Sequence, residues 1–317
     1  MPIVECVPNF SEGRRTDVIE AIAESIRSVQ GARLLGYEAD SDHNRSVFTI
    51  AGEPEAVSNA AFEACSKAAK LIDLNHHWGE HPRMGATDVI PFIPISDIEM
   101  ATCTELAEAL GQRIGSQLNI PVYLYGDAAR VPERSNLADV RRGQFEGLRD
   151  EIGTNPDRKP DFGPEKIHPT AGATAVGARF FLIAYNVNLD TTDVKLAKRI
   201  AKAIREKDGG MPGVKAMGFE LKEEKCVQVS MNLVDYRKTS PAQAYQRIET
   251  LAKEVGVSVR NSEVVGLLPQ DAMNVCAQQL HGTLEDLGEV NDFVVERLKL
   301  TGFAPAEQVI EIKLSNK

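Results

Sequence analysis

"GTNPDRKPDFGPEKIHPTAGATAVGAR", residues 153–179, is dense in proline and glycine near the middle of a 317-residue chain. No regular element is expected to survive that density of chain breakers. The stretch reads as a structureless hinge, and long structureless segments in compact proteins are often functional. It sets two halves apart, and each half repeats one element order.

Before the hinge, "PIVECVP" (2–8) reads as a strand. Val18, Ile19, Ile22, Ile26 and Val29 fall at helical spacing. "ARLLGYEA" (32–39) and "SVFTIAG" (46–52) read as strands, and Pro54 opens a helix to about Leu74. "DVIPFIPI" (88–95) is a strand whose two prolines suggest an edge or a bulge. A helix (99–117), the strand "PVYLYG" (121–126) and a shorter helix (144–151) follow.

After the hinge come the strand "RFFLIAYNVNL" (179–189) and a helix over 192–206. The strands "VKAMGFEL" (214–221) and "CVQVSMNLVD" (226–235) flank the turn "KEEK". Ser240-Pro241 supplies an N-cap and an N1 proline for a helix to about Val255. "VSVRNSEVVGL" (257–267) closes the set, followed by helical elements and a last strand, "QVIEIKL" (308–314). Both halves read β-α-β-β-α-β, the split βαβ order. The fold class is α+β, with domains over 1–178 and 179–317.

A net charge of −10 argues against a nucleic-acid partner, which usually demands a basic footprint. It leaves room for one local basic pocket. No apolar run is long enough to cross a membrane, and "MPIVECVPNF" is not a secretory signal. Five scattered cysteines without a Cys-x-x-Cys pair suit reduced, buried thiols. The expectation is a cytoplasmic protein without membrane partners.

"HHWGEHPRMGATDVIPF" (76–92) contains His-x-x-Glu-His from His77 to His81, the ligand order of inverzincin proteases. That site needs one helix carrying both histidines. Gly79 between them and Pro82 after the second break such a helix. No metal is expected. His76 and His77 read as the end of a helix, where positive charge is favourable, and Trp78 as a packing residue. His81 lies in a loop of special backbone residues with Glu80, Arg83 and Asp88 nearby. It is either structural or a proton carrier near neutral pH.

"VPNFSEGR" (7–14) is either a capping loop or an anion-binding strand-to-helix turn with Asn9 in it. "EADSDHNRSVF" (38–48) is either a plain hairpin turn or a place where Arg45 clamps a carboxylate. The glycines at 163, 172 and 177 form no nucleotide fingerprint, and no Gly-x-Ser-x-Gly elbow appears.

Together, "VPNFSEGR", "DHNRSVFTIAG", "GEHPRMGATDVIPFIP", "PVYLYGDAAR", "PDFGP…GATAVGARFFLIAYNVNL", "QVSMNLVD" and "SEVVGLLP" resemble the formiminotransferase family. The blocks run in order over nearly the whole chain, and "GEHPRMGATDV" is the most specific. The resemblance implies two ferredoxin-like subdomains with a ligand tunnel between their sheets. It implies transfer of the formimino group of N-formimino-L-glutamate to N5 of tetrahydrofolate in histidine degradation. Its catalytic histidine maps onto His81. Its folate segment maps onto "GPEKIHPTAG", that is Gly163, Pro164, Glu165, Lys166, Ile167, His168, Pro169, Thr170, Ala171 and Gly172.

In that chemistry N5 loses a proton and the departing glutamate amine gains one, and one imidazole can do both in turn. Glu80 or Asp88 would orient it. Arg45, Arg83 and Arg179 are candidates for the substrate carboxylates, and Asn9 and Asn44 for the amidine or pterin. Animal members continue into a cyclodeaminase domain, so that second activity is not expected in a chain ending at 317. The "DSDHNR" loop is also more acidic than its animal counterparts. Formyl transfer from N-formyl-L-glutamate on the same scaffold is the nearest rival. A catalytically silent folate-binding protein is another.

Overall fold

The computed structural model describes residues 1–281 and 287–315. The chain forms two compact units, Met1–Arg179 and Phe180–Lys317.

The first unit opens with β1 (Ile3–Cys6) and β2 (Asn9–Phe10), two parts of one interrupted strand. Then come α1 (Thr16–Arg27), β3 (Ala32–Asp40), β4 (Arg45–Gly52), α2 (Pro54–Leu71) and β5 (Thr87–Ser96). α1 buries Val18, Ile19, Ile22 and Ile26, the stripe read from its spacing. β4 lies between β3 and the β1/β2 strand, and β5 pairs with the other side of β1/β2, all antiparallel. Two strands extend the sheet beyond β5. They are β7 (Thr174–Ala178), parallel to β5, and β6 (Val122–Gly126), parallel to β7.

α1, α2 and α3 (Met100–Gln117) cover one sheet face over a core that includes Val4, Phe10, Phe48, Ile50 and Phe92. The opposite face is covered at the β5–β7–β6 end by α4 (Leu137–Val140) and α5 (Gln144–Glu151). There Val89, Tyr123 and Tyr125 pack with Val140 and Leu148. Phe48 and Ile50 face the helices, so strand alternation turns Arg45, Val47 and Thr49 of β4 to the opposite face. These three are only partly buried.

Three expectations are resolved in this unit, two of them by correction. β5 is central rather than an edge, although it carries Pro91 and Pro94. Pro91 contributes only its carbonyl, which accepts from the Val7 N–H at 3.3 Å. Near Pro94 the register slips, Ile3 facing Ser96 and Val4 facing Pro94, so the bulge reading holds there. Second, the Gly/Pro stretch contains a strand, β7, with all five residues buried. Third, α2 stops at Leu71, and a separate 3-10 turn runs over Leu74–His76. Ile72 takes an extended backbone and buries its side chain, and the Asp73 side chain then caps the new turn.

The second unit holds β8 (Ile183–Leu189), α6 (Val194–Ile204), β9 (Val214–Leu221), β10 (Cys226–Leu233), α7 (Pro241–Lys253) and β11 (Val259–Val265). Its antiparallel sheet runs β11-β8-β10-β9. Numbered within each β-α-β-β-α-β set, both units therefore place their strands fourth, first, third, second. Asp193 caps α6 through the Lys195 N–H, and Ser240 with Gln243 forms a capping box on α7. Helices α8 (Gln270–Leu280), α9 (Leu287–Arg297), α10 (Pro305–Gln308) and α11 (Ile310–Ser315) follow.

The expected terminal strand "QVIEIKL" is helical instead. Lys313 donates to the Val309 carbonyl at 2.8 Å, and only Val309 bridges to an extended neighbour, Leu268. Apolar alternation over so few residues does not separate strand from helix. All five cysteines are free and buried.

Candidate functional site

The site is built around a bulge in β5. Asn9 faces Val89 and Phe10 faces Thr87, so Asp88 is the extra residue. Its side chain is 1% exposed. Oδ1 accepts from the Met84 N–H at 2.8 Å, and Oδ2 accepts from Arg141 just beyond α4.

The loop that carries His81 is held by a chain of specific contacts. A side chain at Gly79 would come within 2.4 Å of the His43 carbonyl oxygen, so glycine allows the loop to lie on the β3–β4 turn. Asn44 in that turn adopts φ 49°. Its Oδ1 accepts from the Gly13 N–H at 2.9 Å and its Nδ2 donates to the Trp78 carbonyl at 3.0 Å. His77 donates from Nε2 to the Asn44 carbonyl at 2.9 Å and accepts at Nδ1 from Arg83 at 3.1 Å. Burial lowers the pKa of His77, with Arg83 adding to the effect. His76 and His77 do end a helix, the 3-10 turn Leu74–His76 with His77 as its C-cap, and His77 is in addition wedged between two loops.

His81 itself is 9% exposed. Its Nε2 lies 3.6 Å from Asp88 Oδ2, outside hydrogen-bond length, and has no hydrogen-bond partner among the described residues. Residues 77–81 are not helical, so the geometry required for a His-x-x-Glu-His metal site is missing. Among the described residues no group of three or more His, Cys, Asp or Glu side chains is arranged to hold a metal.

Basic side chains gather at the same place. Arg45 on β4 makes no side-chain hydrogen bond or ion pair among the described residues, and its buried Nε is unpartnered. Burial lowers its pKa, nearby Arg141 lowers it further, and Asp40, Asp88 and Glu38 oppose the shift. The Nε of Arg141 is likewise buried without a partner. Farther along the sheet the Tyr125 hydroxyl is pushed up to about 12 by burial, and Arg179 hydrogen-bonds to it.

The sequence candidates do not all serve the same part of the structure. His81, Asp88 and Arg45 come together. Arg83 and Asn44 are engaged in the framework: Arg83 grips Glu146 with both terminal nitrogens at 2.7 and 2.8 Å and is 7% exposed. Asn9 donates to the Val7 carbonyl at 3.0 Å across the β1–β2 interruption. Trp78, expected to pack, is 72% exposed with the Arg14 guanidinium 3.6 Å over its ring. Arg141 and Tyr125 were not singled out by motif or spacing.

The segment Gly163–Gly172 is a hydrogen-bonded loop in the first unit. Gly163 has φ 81°, and a side chain at Gly115 of α3 would lie 2.6 Å from its nitrogen. Glu165 pairs with Lys159 at 2.8 Å. His168 Nδ1 accepts from the Ala171 N–H at 3.0 Å, and burial lowers its pKa. The Thr170 and Ala171 carbonyls accept from Leu74 and Ala86, and Pro169 accepts from Asn75. Gly163, Pro164, Glu165 and Lys166 are exposed.

Residues 3–179 match the family model described as formiminotransferase domain, N-terminal subdomain, and residues 184–315 match that of the formiminotransferase domain. The chain is 48% identical to glutamate formimidoyltransferase of Streptococcus pyogenes serotype M1, over 86% of this chain and 90% of that one. It is 49% identical to the protein of the same name from Thermoplasma acidophilum, with the same coverage. Against formimidoyltransferase-cyclodeaminase of Rattus norvegicus the identity is 42%, over 98% of this chain and 59% of that one. With both halves matched in order, this chain belongs to the formiminotransferase family.

Proposed function

We propose that the protein is a glutamate formimidoyltransferase that moves the formimino group of N-formimino-L-glutamate to N5 of tetrahydrofolate, releasing L-glutamate in histidine degradation. The observation that carries the chemistry is the buried His81 imidazole beside the fixed Asp88 carboxylate. His81 takes the proton lost by the attacking amine and returns one to the departing amine of glutamate. Asp88, 3.6 Å away, adds a nearby negative charge that favours the protonated imidazole. Arg45 and Arg179 supply the local positive charge that carboxylate substrates need in a chain of net charge −10.

Tetrahydrofolate enters as co-substrate, with Gly163–Gly172 as its binding segment. The exposed surface of residues 163–166 supports that assignment, as does Lys166, whose ammonium has no partner among the described residues. A flexible cation there suits the glutamate tail of a folate. We read residues 1–178 and 179–317 as two ferredoxin-like subdomains, supported by the shared strand order. The ligand tunnel implied by the family belongs to the same reading, as do a homodimer and a cytoplasmic location. No helix among the described residues is long and apolar enough to cross a membrane.

Steady-state assays with tetrahydrofolate and either N-formimino-L-glutamate or N-formyl-L-glutamate test the reaction. Turnover of the formimino donor is expected. Turnover of the formyl donor alone would replace this reading with formyl transfer, and turnover of neither would leave a folate-binding protein.

A further inference from the structure

The charges around Asp88 do not balance within the cluster. Arg141 binds one oxygen of Asp88, and the Met84 N–H binds the other. The Asp88 carboxylate is therefore the counter-charge of Arg141, and it leaves Arg45 unmatched. Other acids near Arg45 do not fill that role. Asp40 is turned to His43, whose Nδ1 lies 2.8 Å from its Oδ2, and Glu38 is exposed on β3. Among the described residues, three buried nitrogens in this one cluster lack hydrogen-bond partners: Arg45 Nε, Arg141 Nε and His81 Nε2. Buried donors are rarely left unpaired, and a half-buried cation without an anion is costly. Unpaired donors and surplus positive charge at one spot describe an anion site, and guanidinium groups match a carboxylate in shape.

We propose that Arg45 and Arg141 jointly hold the α-carboxylate of the amino-acid donor, beside the His81 imidazole. This rests on the reaction assigned above. Among the carboxylates of the two substrates, only the α-carboxylate of the donor is attached to the carbon bearing the reacting nitrogen. Arg141 touches the same Asp88 oxygen that lies 3.6 Å from His81 Nε2. An anion on this arginine pair therefore sits next to the group that must protonate that nitrogen. The γ-carboxylate of the donor and the carboxylates of a folate tail lie farther along their molecules. Arg45 and Arg141 act as binding residues, and they set which nitrogen His81 meets.

The test is calorimetric titration of the intact protein with L-glutamate and L-isoglutamine, which carries an amide in place of the α-carboxylate. L-glutamine, the γ-amide, is the comparison. Wild type is expected to prefer glutamate over isoglutamine by about tenfold or more, the scale of one charge-assisted contact. In Arg45→Gln and Arg141→Gln that preference falls below about threefold, while the preference for glutamate over glutamine stays at its wild-type value. Arg141→Gln also unsettles Asp88, so Arg45→Gln, which removes no native hydrogen bond, decides the matter if the other variant fails to fold. The proposal is overturned if isoglutamine is still rejected by Arg45→Gln, if the γ-amide preference is the one that collapses, or if wild type does not bind glutamate. It is also overturned if Arg45→Gln raises the KM for tetrahydrofolate rather than for the donor. These titrations need no turnover. Glutamate binding through Arg45 with no formimino transfer would refute the assigned reaction and leave the carboxylate site standing.

Discussion

His81 Nε2 and Asp88 Oδ2 stand 3.6 Å apart, while Arg141 holds that same oxygen. The imidazole thus faces a carboxylate that is already committed elsewhere, and no hydrogen bond from the described residues anchors its Nε2. With no hydrogen bond to lose at Nε2, this buried side chain supports folding through packing alone. His81→Ala is expected to lower kcat by about 10²–10⁴-fold, the range of a lost general acid-base group. Retained turnover would remove the proton-carrier role.

Asp88→Asn tests the other half of the pair. The substitution keeps the shape and removes the charge that Arg141 faces. Breaking a buried ion pair on one side costs about 3 kcal/mol. Equilibrium urea unfolding is expected to show a loss of that order, together with lower kcat. Arg141→Gln in the same background should add much less than it costs alone, which a double-mutant cycle would measure.

His77 gives the protein a pH-dependent stability. Its folded-state pKa is depressed, first by burial, below the ordinary value of 6.5. The unfolded chain therefore takes up the proton first. The stability it contributes is complete above about pH 6.5 and is lost as pH falls toward the folded-state value. Urea unfolding of wild type and His77→Gln between about pH 7.5 and 5 should show wild type losing more stability as pH drops. Parallel pH profiles for the two proteins would contradict this account.

Gly115 is a packing glycine in the last turn of α3. Its missing side chain is what lets the Gly163 backbone approach within 2.6 Å of where a Cβ would stand. Gly115→Ala should cost about 1–3 kcal/mol through overpacking, despite the better helix propensity of alanine. If Gly163–Gly172 binds folate, the KM for tetrahydrofolate should rise with little change for the donor.

The parts of the fold legible in the sequence were those with a clean period. The α1 stripe, the Ser240-Pro241 helix start and the repeated β-α-β-β-α-β element order are legible because each is a pattern along the chain. β7 was hidden because Thr174–Ala178 is buried throughout and made of small residues, so it shows no alternation. The last helix reads as a strand in sequence because so short a segment supports either period. At the site, His81, Asp88 and Arg45 stood out as chemistry-bearing residues in loops or at strand ends. Arg141 did not, because its partner Asp88 lies 53 residues away and nothing around Arg141 marks it. The framework role of Arg83 was equally hidden, since Glu146 is 63 residues distant.

The extra residue in β5 also has an evolutionary consequence. Asp88 reaches Arg141 only because the strand counts one residue more than its neighbour between Thr87 and Val89. Losing one residue there would restore regular pairing, yet it would remove or turn aside the carboxylate on which the cluster is built. Substitutions in this strand can be tried one side chain at a time, whereas a change in its length strikes sheet and site together. A lineage keeping this activity should therefore vary β5 in spelling and hold its residue count constant.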